Sequence, residues 1–227
     1  MSRGRAGTNS KATSARRQAA GRAAPTRTSA KPGRGLPKRL TFVTGNPGKA
    51  RELAAQLKPL GIAVVQDKRG YPEIQADTLA EVAEAGARHL LGGGLKPPFL
   101  LEDSGLFVAA LRGFPGVYSR HTLETVGCAG LLKLMADVEI EMRSAAFQAH
   151  LLYVDPAGRL HGFAGACPGR IADRASGAGG FGFDPIFVPR GHDQTFAEMD
   201  PAEKAALGHR GQAVRAFLAF LGKSTKA

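Results

Sequence analysis

Two carboxylates stand side by side in Leu100-Leu101-Glu102-Asp103-Ser104-Gly105, after an apolar run, and a third follows a proline in Tyr71-Pro72-Glu73-Ile74-Gln75. Carboxylates from separate segments can share a hard divalent cation, and one set beside a water can accept its proton. A cation that could meet phosphate heads the stretch Thr44-Gly45-Asn46-Pro47-Gly48-Lys49. That turn resembles a phosphate-gripping loop between a strand and a helix. A P-loop, however, needs a glycine five residues before the Gly-Lys pair and a hydroxyl after the lysine. Val43 and Ala50 occupy those places, so no loop hydroxyl is there to hold a metal.

Two further stretches carry chemistry-bearing types. Gly177–Phe187 reads GAGGFGFDPIF, a glycine-rich turn holding Phe181, Gly182, Phe183 and Asp184, which suits stacking of a base on an aromatic face. Lys204, His209 and Arg210 cluster around a helix break at Gly208, with Arg210 offering a planar fork of donors. Each signal has a plainer reading. Asp103 can cap its own backbone in a strand-end turn, Glu73 can be a solvated loop acid, the phenylalanines can be core, and the cations can be a solvated run.

The elements that must position these residues alternate in type. Leu40–Thr44 reads as a strand, Lys49–Leu60 as an amphipathic helix and Ile62–Gln66 as a second strand. Thr78 begins a helix to about Leu91, with Glu81 completing a capping box. The apolar run into Glu102 and Asp103 reads as a short buried strand whose tip opens on a cleft, with Ser104-Gly105 as a tight turn. Its side chains alternate, so at most one of the two acids should face a given cleft. A helical stretch near Ala129–Ala136 follows. Two long strands joined by Asp155–Gly158 then form a hairpin, and Gln212–Leu221 is a final amphipathic helix. The expected class is α/β with a mixed sheet, since both helical crossovers and a hairpin feed it.

The 227-residue chain has a formal charge of +12, which invites a nucleic-acid partner. Residues 1–38 hold ten of the 31 bases and no acid, leaving 21 bases against 19 acids in residues 39–227. The folded part is nearly neutral. The segment 1–38 is expected to be a disordered basic tail, too poor in large apolar side chains to offset its ordering entropy. A solvated extension, a salt-sensitive nucleic-acid arm and an organelle transit peptide all remain open for it. Cys128 and Cys167 read as buried free thiols in a reducing compartment, and no stretch is apolar enough to span a bilayer.

Taken in order, TGNPGK, PEIQADT, LEDSGLFVAALRGFPGVYS, GGFGFDPIF, TFAEM and EKAALGHRGQA closely resemble the inosine triphosphate pyrophosphatase (Ham1-like) family, in its archaeal-type variant, from about Arg39 to Leu221. The resemblance implies a two-lobed mixed-sheet α/β fold around a nucleotide cleft. It implies a Mg²⁺-dependent, cytoplasmic, homodimeric hydrolase that converts ITP, dITP or XTP to the monophosphate and pyrophosphate. Carried over by position, Thr44, Gly45, Asn46, Pro47, Gly48 and Lys49 would grip phosphate. Glu73 and Asp103 would hold Mg²⁺, with Asp103 also the general base and Ser104 beside it on the substrate. Phe181, Gly182, Phe183 and Asp184 would line the base and sugar pocket, Lys204 would meet phosphate, and His209 and Arg210 would reach the purine. Two positions depart from the family's pattern: Gly208 stands for the usual Ser, and Phe183 for a common Tyr. A Maf-like pyrophosphatase acting on pyrimidine triphosphates and a nucleic-acid-binding module are the rival readings.

Overall fold

The computed structural model describes residues 37–224. The expected basic tail, residues 1–38, lies outside the described residues apart from its last two positions. A single six-stranded sheet runs through the protein in the order β2-β1-β3-β4-β5-β6. The strands are β1 (Arg39–Val43), β2 (Ala63–Asp67), β3 (Phe99–Val108), β4 (Ser144–Val154), β5 (Leu160–Ile171) and β6 (Phe187–Pro189). β1 pairs in parallel with β2 and β3, whereas β3, β4, β5 and β6 are antiparallel neighbours. The sheet is therefore mixed, as its crossovers and hairpin require. The β4–β5 hairpin closes at Asp155–Gly158, where Gly158 N donates to the Asp155 carbonyl at 2.8 Å.

The helices are α1 (Pro47–Leu57), α2 (Leu79–Gly92), α3 (Ser119–Thr125), α4 (Gly127–Leu134), α5 (Pro201–Leu207) and α6 (His209–Ser224). α1 starts two residues before the expected Lys49. Asn46 caps it, its Oδ1 accepting from the backbone N–H of Gly48 (2.8 Å) and Lys49 (3.2 Å), and Pro47 fills the first helical position, where no donor is needed. Pro59 has no N–H with which to extend the helical ladder, and the chain tightens into a 3-10 turn over Lys58–Leu60. The Thr78–Glu81 capping box at α2 is present.

Three apolar clusters divide the molecule. α1 and α6 cover one face of the sheet, with Phe42, Leu53, Leu57, Leu100, Tyr153 and Phe217 packed together. α2 covers the opposite face through Ala83, Ala87 and Leu90 against Val43, Leu101 and Leu152. A third cluster of Leu106, Val108, Leu131, Phe147, Phe183, Phe187 and Phe196 lies at the far end of β3 and β4. β3 and β4 thus run through both lobes and form the spine between them.

One sequence expectation is corrected here. β3 does not end at the two acids; it runs ten residues from Phe99 to Val108, and Ser104 and Gly105 pair with Ala149 and Gln148 of β4. Gly105 is required by close approach, since a Cβ there would overlap the carbonyl oxygen of Gly116. What ends is the neighbour. β1 pairs with β3 only as far as Val43 with Leu101, leaving Glu102 to Ser104 without a strand neighbour on that side before the segment at Phe114–Ser119 takes over. A crevice forms at such a topological switch.

Candidate functional site

A cavity of about 560 Å³ occupies this crevice, a size suited to a small-molecule ligand. Thr44, Gly45, Asn46, Pro47 and Lys49 form one wall, and Glu73, Glu102, Asp103 and Ser104 another. Phe181, Gly182, Phe183, Asp184, Lys204, His209 and Arg210 close it from the second lobe. Every residue that the resemblance assigned to the site lines the cavity except Gly48. That glycine lies behind the wall, where a Cβ would come within 2.6 Å of the Phe181 ring.

Both neighbouring acids line the cavity, but the Glu102 side chain is wholly buried against Arg210, so its carboxylate does not open on the cleft. The two acids differ sharply in environment. Glu102 is buried, and Arg210 donates to it through Nε (2.8 Å) and Nη2 (2.7 Å). Lys49 reaches the same residue, with Nζ 3.2 Å from its carbonyl and 3.7 Å from its carboxylate. Burial by itself would raise the Glu102 carboxyl, but Arg210 and Lys49 outweigh it and hold the pKa down at about 2.

Asp103 has the opposite fate. Burial lifts its carboxyl to about 6; Lys49 pulls it down, and Glu73 adds to the rise. Its Oδ2 is buried with no hydrogen-bond partner among the described residues. An ionised carboxylate left so calls for a cation or a donor from outside the chain. Glu73 stands about half exposed in the loop before α2, where Arg120 of α3 donates to it at 3.3 Å. The pair of acids suits Mg²⁺, which takes oxygen ligands, keeps several waters and needs only one or two protein carboxylates. No group of three or more His, Cys, Asp or Glu is placed to hold a metal ion among the described residues.

The second lobe brings a buried ion network. Lys204 Nζ lies 2.6 Å from Asp184 and 2.8 Å from Glu52, and Arg210 also pairs with Glu52 through Nη1. These cations are withdrawn from solvent and paired with carboxylates, so they do not form a solvated run. The Phe181 ring lies beneath them, 4.8 Å from Lys204 Nζ and 5.6 Å from the Arg210 guanidinium carbon. Asp184 fixes that turn by accepting from the Phe181 N–H at 2.6 Å. His209 is no cation: burial, with Arg210 close by, drives its pKa well below 6.5. Its ring stacks on Phe147 at 4.9 Å, and its Nδ1 is buried without a partner among the described residues. Phe183 sits in the third apolar cluster with only an edge on the cavity. Cys167 is buried as expected, while Cys128 is only half buried.

Glu52, Tyr71, Arg120 and Phe147 contribute to the site without having been read from the sequence. Glu52 follows Lys49 by three residues, so helical spacing placed both on one face, and that signal was available. Tyr71 lines the cavity with its ring against α2, where a Cβ on Gly86 would come within 2.6 Å of it. Nothing local marks Arg120.

A two-lobed mixed sheet with a lysine-headed turn, two acids and a buried cationic wall around one crevice describes a cleft protein for a polyanionic ligand. The chain belongs to the Ham1 family, whose sequence pattern matches residues 40–220. It is 52% identical over 188 residues to the dITP/XTP pyrophosphatase of Thermococcus kodakarensis, covering 83% of this chain and 100% of that protein. The dITP/XTP pyrophosphatase of Pyrococcus horikoshii is 47% identical, with 83% and 99% covered. The structure of a HAM1 protein from Coxiella burnetii superposes with a TM-score of 0.69 at 30% identity, covering 83% of this chain and 99% of that one.

Proposed function

We propose that this chain is a Mg²⁺-dependent nucleoside triphosphate pyrophosphatase that acts on the deaminated purine nucleotides dITP, XTP and ITP. One observation carries the reading: Lys49, Glu73 and Asp103 line the same cavity, and the Asp103 carboxyl there is buried, unpartnered at Oδ2 among the described residues and raised to about 6. The names of relatives at 52% and 47% identity supply the substrate class.

In this reading Glu73 and Asp103 hold Mg²⁺, which when bound offsets charge on the pyrophosphate leaving group and acidifies a water. Asp103 takes the proton of the attacking water, with no covalent intermediate. Lys49 and the turn from Thr44 draw in the polyphosphate, and Ser104 touches substrate beside the base. Lys204 meets phosphate on exchanging one of its carboxylates. His209 and Arg210 face the purine. Three of Arg210's five N–H donors are engaged with Glu102 and Glu52, so others remain for a 6-keto oxygen. Adenine, with an amino donor at that place, leaves such donors unpaired. A homodimer, which the family resemblance implies, would cover exposed apolar side chains such as Tyr118, Ile140 and Met142.

Pyrophosphate release from ITP, XTP, dITP, GTP, ATP, UTP and dTTP, each with and without Mg²⁺, tests the reading. The expected result is Mg²⁺-dependent turnover with kcat/KM highest for the deaminated purines. Higher kcat/KM for UTP or dTTP would shift the assignment to a pyrimidine-directed enzyme. Removing residues 1–36 should leave ITP hydrolysis intact; Lys38 must be kept, because its carbonyl accepts from Ala63 N at 2.9 Å.

A further inference from the structure

Arg120 occupies an unusual place for a surface arginine. It lies on the cavity wall, at the start of α3, and its Nη1 donates to Glu73 across 47 positions of sequence at 3.3 Å. On its other side Nε donates to Glu124 one helical turn ahead at 3.0 Å. Glu73 is the acid whose loop position and exposure leave it free to turn inward. The guanidinium therefore sits where a cation shared by Glu73 and Asp103 would draw the Glu73 carboxylate away.

We propose that Arg120 is the resident counter-ion of the divalent-cation site, holding Glu73 until a cation displaces it. This rests on the reading that Glu73 belongs to that site. Two features make the exchange easy. Both partners are largely solvated, with side-chain exposures of 70% for Arg120 and 48% for Glu73, so the pair is weak and labile. Glu124 then remains as a second acid for the released guanidinium, which is not left unpaired. The freed Arg120 also faces the cavity that receives the polyphosphate.

Binding of Mn²⁺ to the ligand-free protein, followed by electron paramagnetic resonance of the free ion, reads this without turnover. Arg120→Gln should bind Mn²⁺ about two- to fivefold more tightly than wild type, the range an exposed ion pair contributes. Lys68→Gln removes a charge from the same cavity wall without touching Glu73, and should change the affinity much less. Unchanged or weaker binding by Arg120→Gln would overturn the proposal. So would an equal gain from Lys68→Gln, which would mean a general field effect. Glu73→Gln separates the two levels. If it weakens Mn²⁺ binding while Arg120→Gln does nothing, only the role of Arg120 falls. If it leaves Mn²⁺ binding at the wild-type level, Glu73 is not a ligand, and the underlying reading fails with it.

Discussion

Arg210 grips both carboxylate oxygens of Glu102, at 2.8 and 2.7 Å, with neither side chain open to solvent. The pair joins α6 to β3 at the point where β1 stops, and so fastens that helix to the spine the two lobes share. Lys49 approaches the same carboxylate from α1, and Glu52 holds Arg210 from that helix too. Three elements are thereby fixed around the cavity by one acid.

Removing one member of a buried pair leaves the other charge uncompensated, which costs several kcal/mol. Glu102→Gln should therefore lower stability by about 3 kcal/mol, less than a full orphaning because Glu52 still serves Arg210. Urea unfolding at neutral pH checks this. The midpoint should fall with little change in slope, since the loss is of contacts and not of compactness.

Asp103 makes the opposite prediction. Its folded-state pKa of about 6 lies above the ordinary 3.8, so folding disfavours the ionised form. The contribution of this group is fully present below about pH 4 and is lost as pH rises through 6. In EDTA at pH 8, Asp103→Asn, which cannot ionise, should be more stable than wild type by on the order of 3 kcal/mol. At pH 4 the two should melt alike. Thermal unfolding across that range measures the difference.

Gly48 sets how closely Phe181 approaches the phosphate turn. A Cβ would come within 2.6 and 2.8 Å of two ring carbons, and those belong to a side chain that can yield. Gly48→Ala should cost about 1 kcal/mol of stability by overpacking. By moving the ring beneath Lys204 and Arg210 it should raise KM for ITP several-fold while kcat stays nearly constant. Steady-state kinetics separate the two parameters.

The sequence revealed much of this site because its residues sit next to the turns and caps that place them. Asn46 and Pro47 announce α1, and with it the position of Lys49. Thr78 and Glu81 announce α2, and with it the loop that holds Glu73. What escaped notice depends on neighbours distant in the chain. The length of β3 is set by its pairing with β4, and Gly105 follows from the approach of Gly116, so Ser104-Gly105 imitates a turn locally. That a cavity opens beside Glu102 and Asp103 at all follows from where β1 stops, which nothing within β3 contains. The cations of α5 and α6 read as solvated because their partners, Glu52 and Glu102, lie more than a hundred positions away.

The central claim is that Asp103 activates water in a site it shares with a divalent cation. Turnover of ITP by Asp103→Asn at saturating Mg²⁺, in a variant whose circular dichroism matches wild type, tests it most directly. A positioned general base contributes about 10²- to 10⁴-fold, and the expected loss in kcat is at least about 10²-fold. A variant turning over ITP within about threefold of wild type would contradict the account.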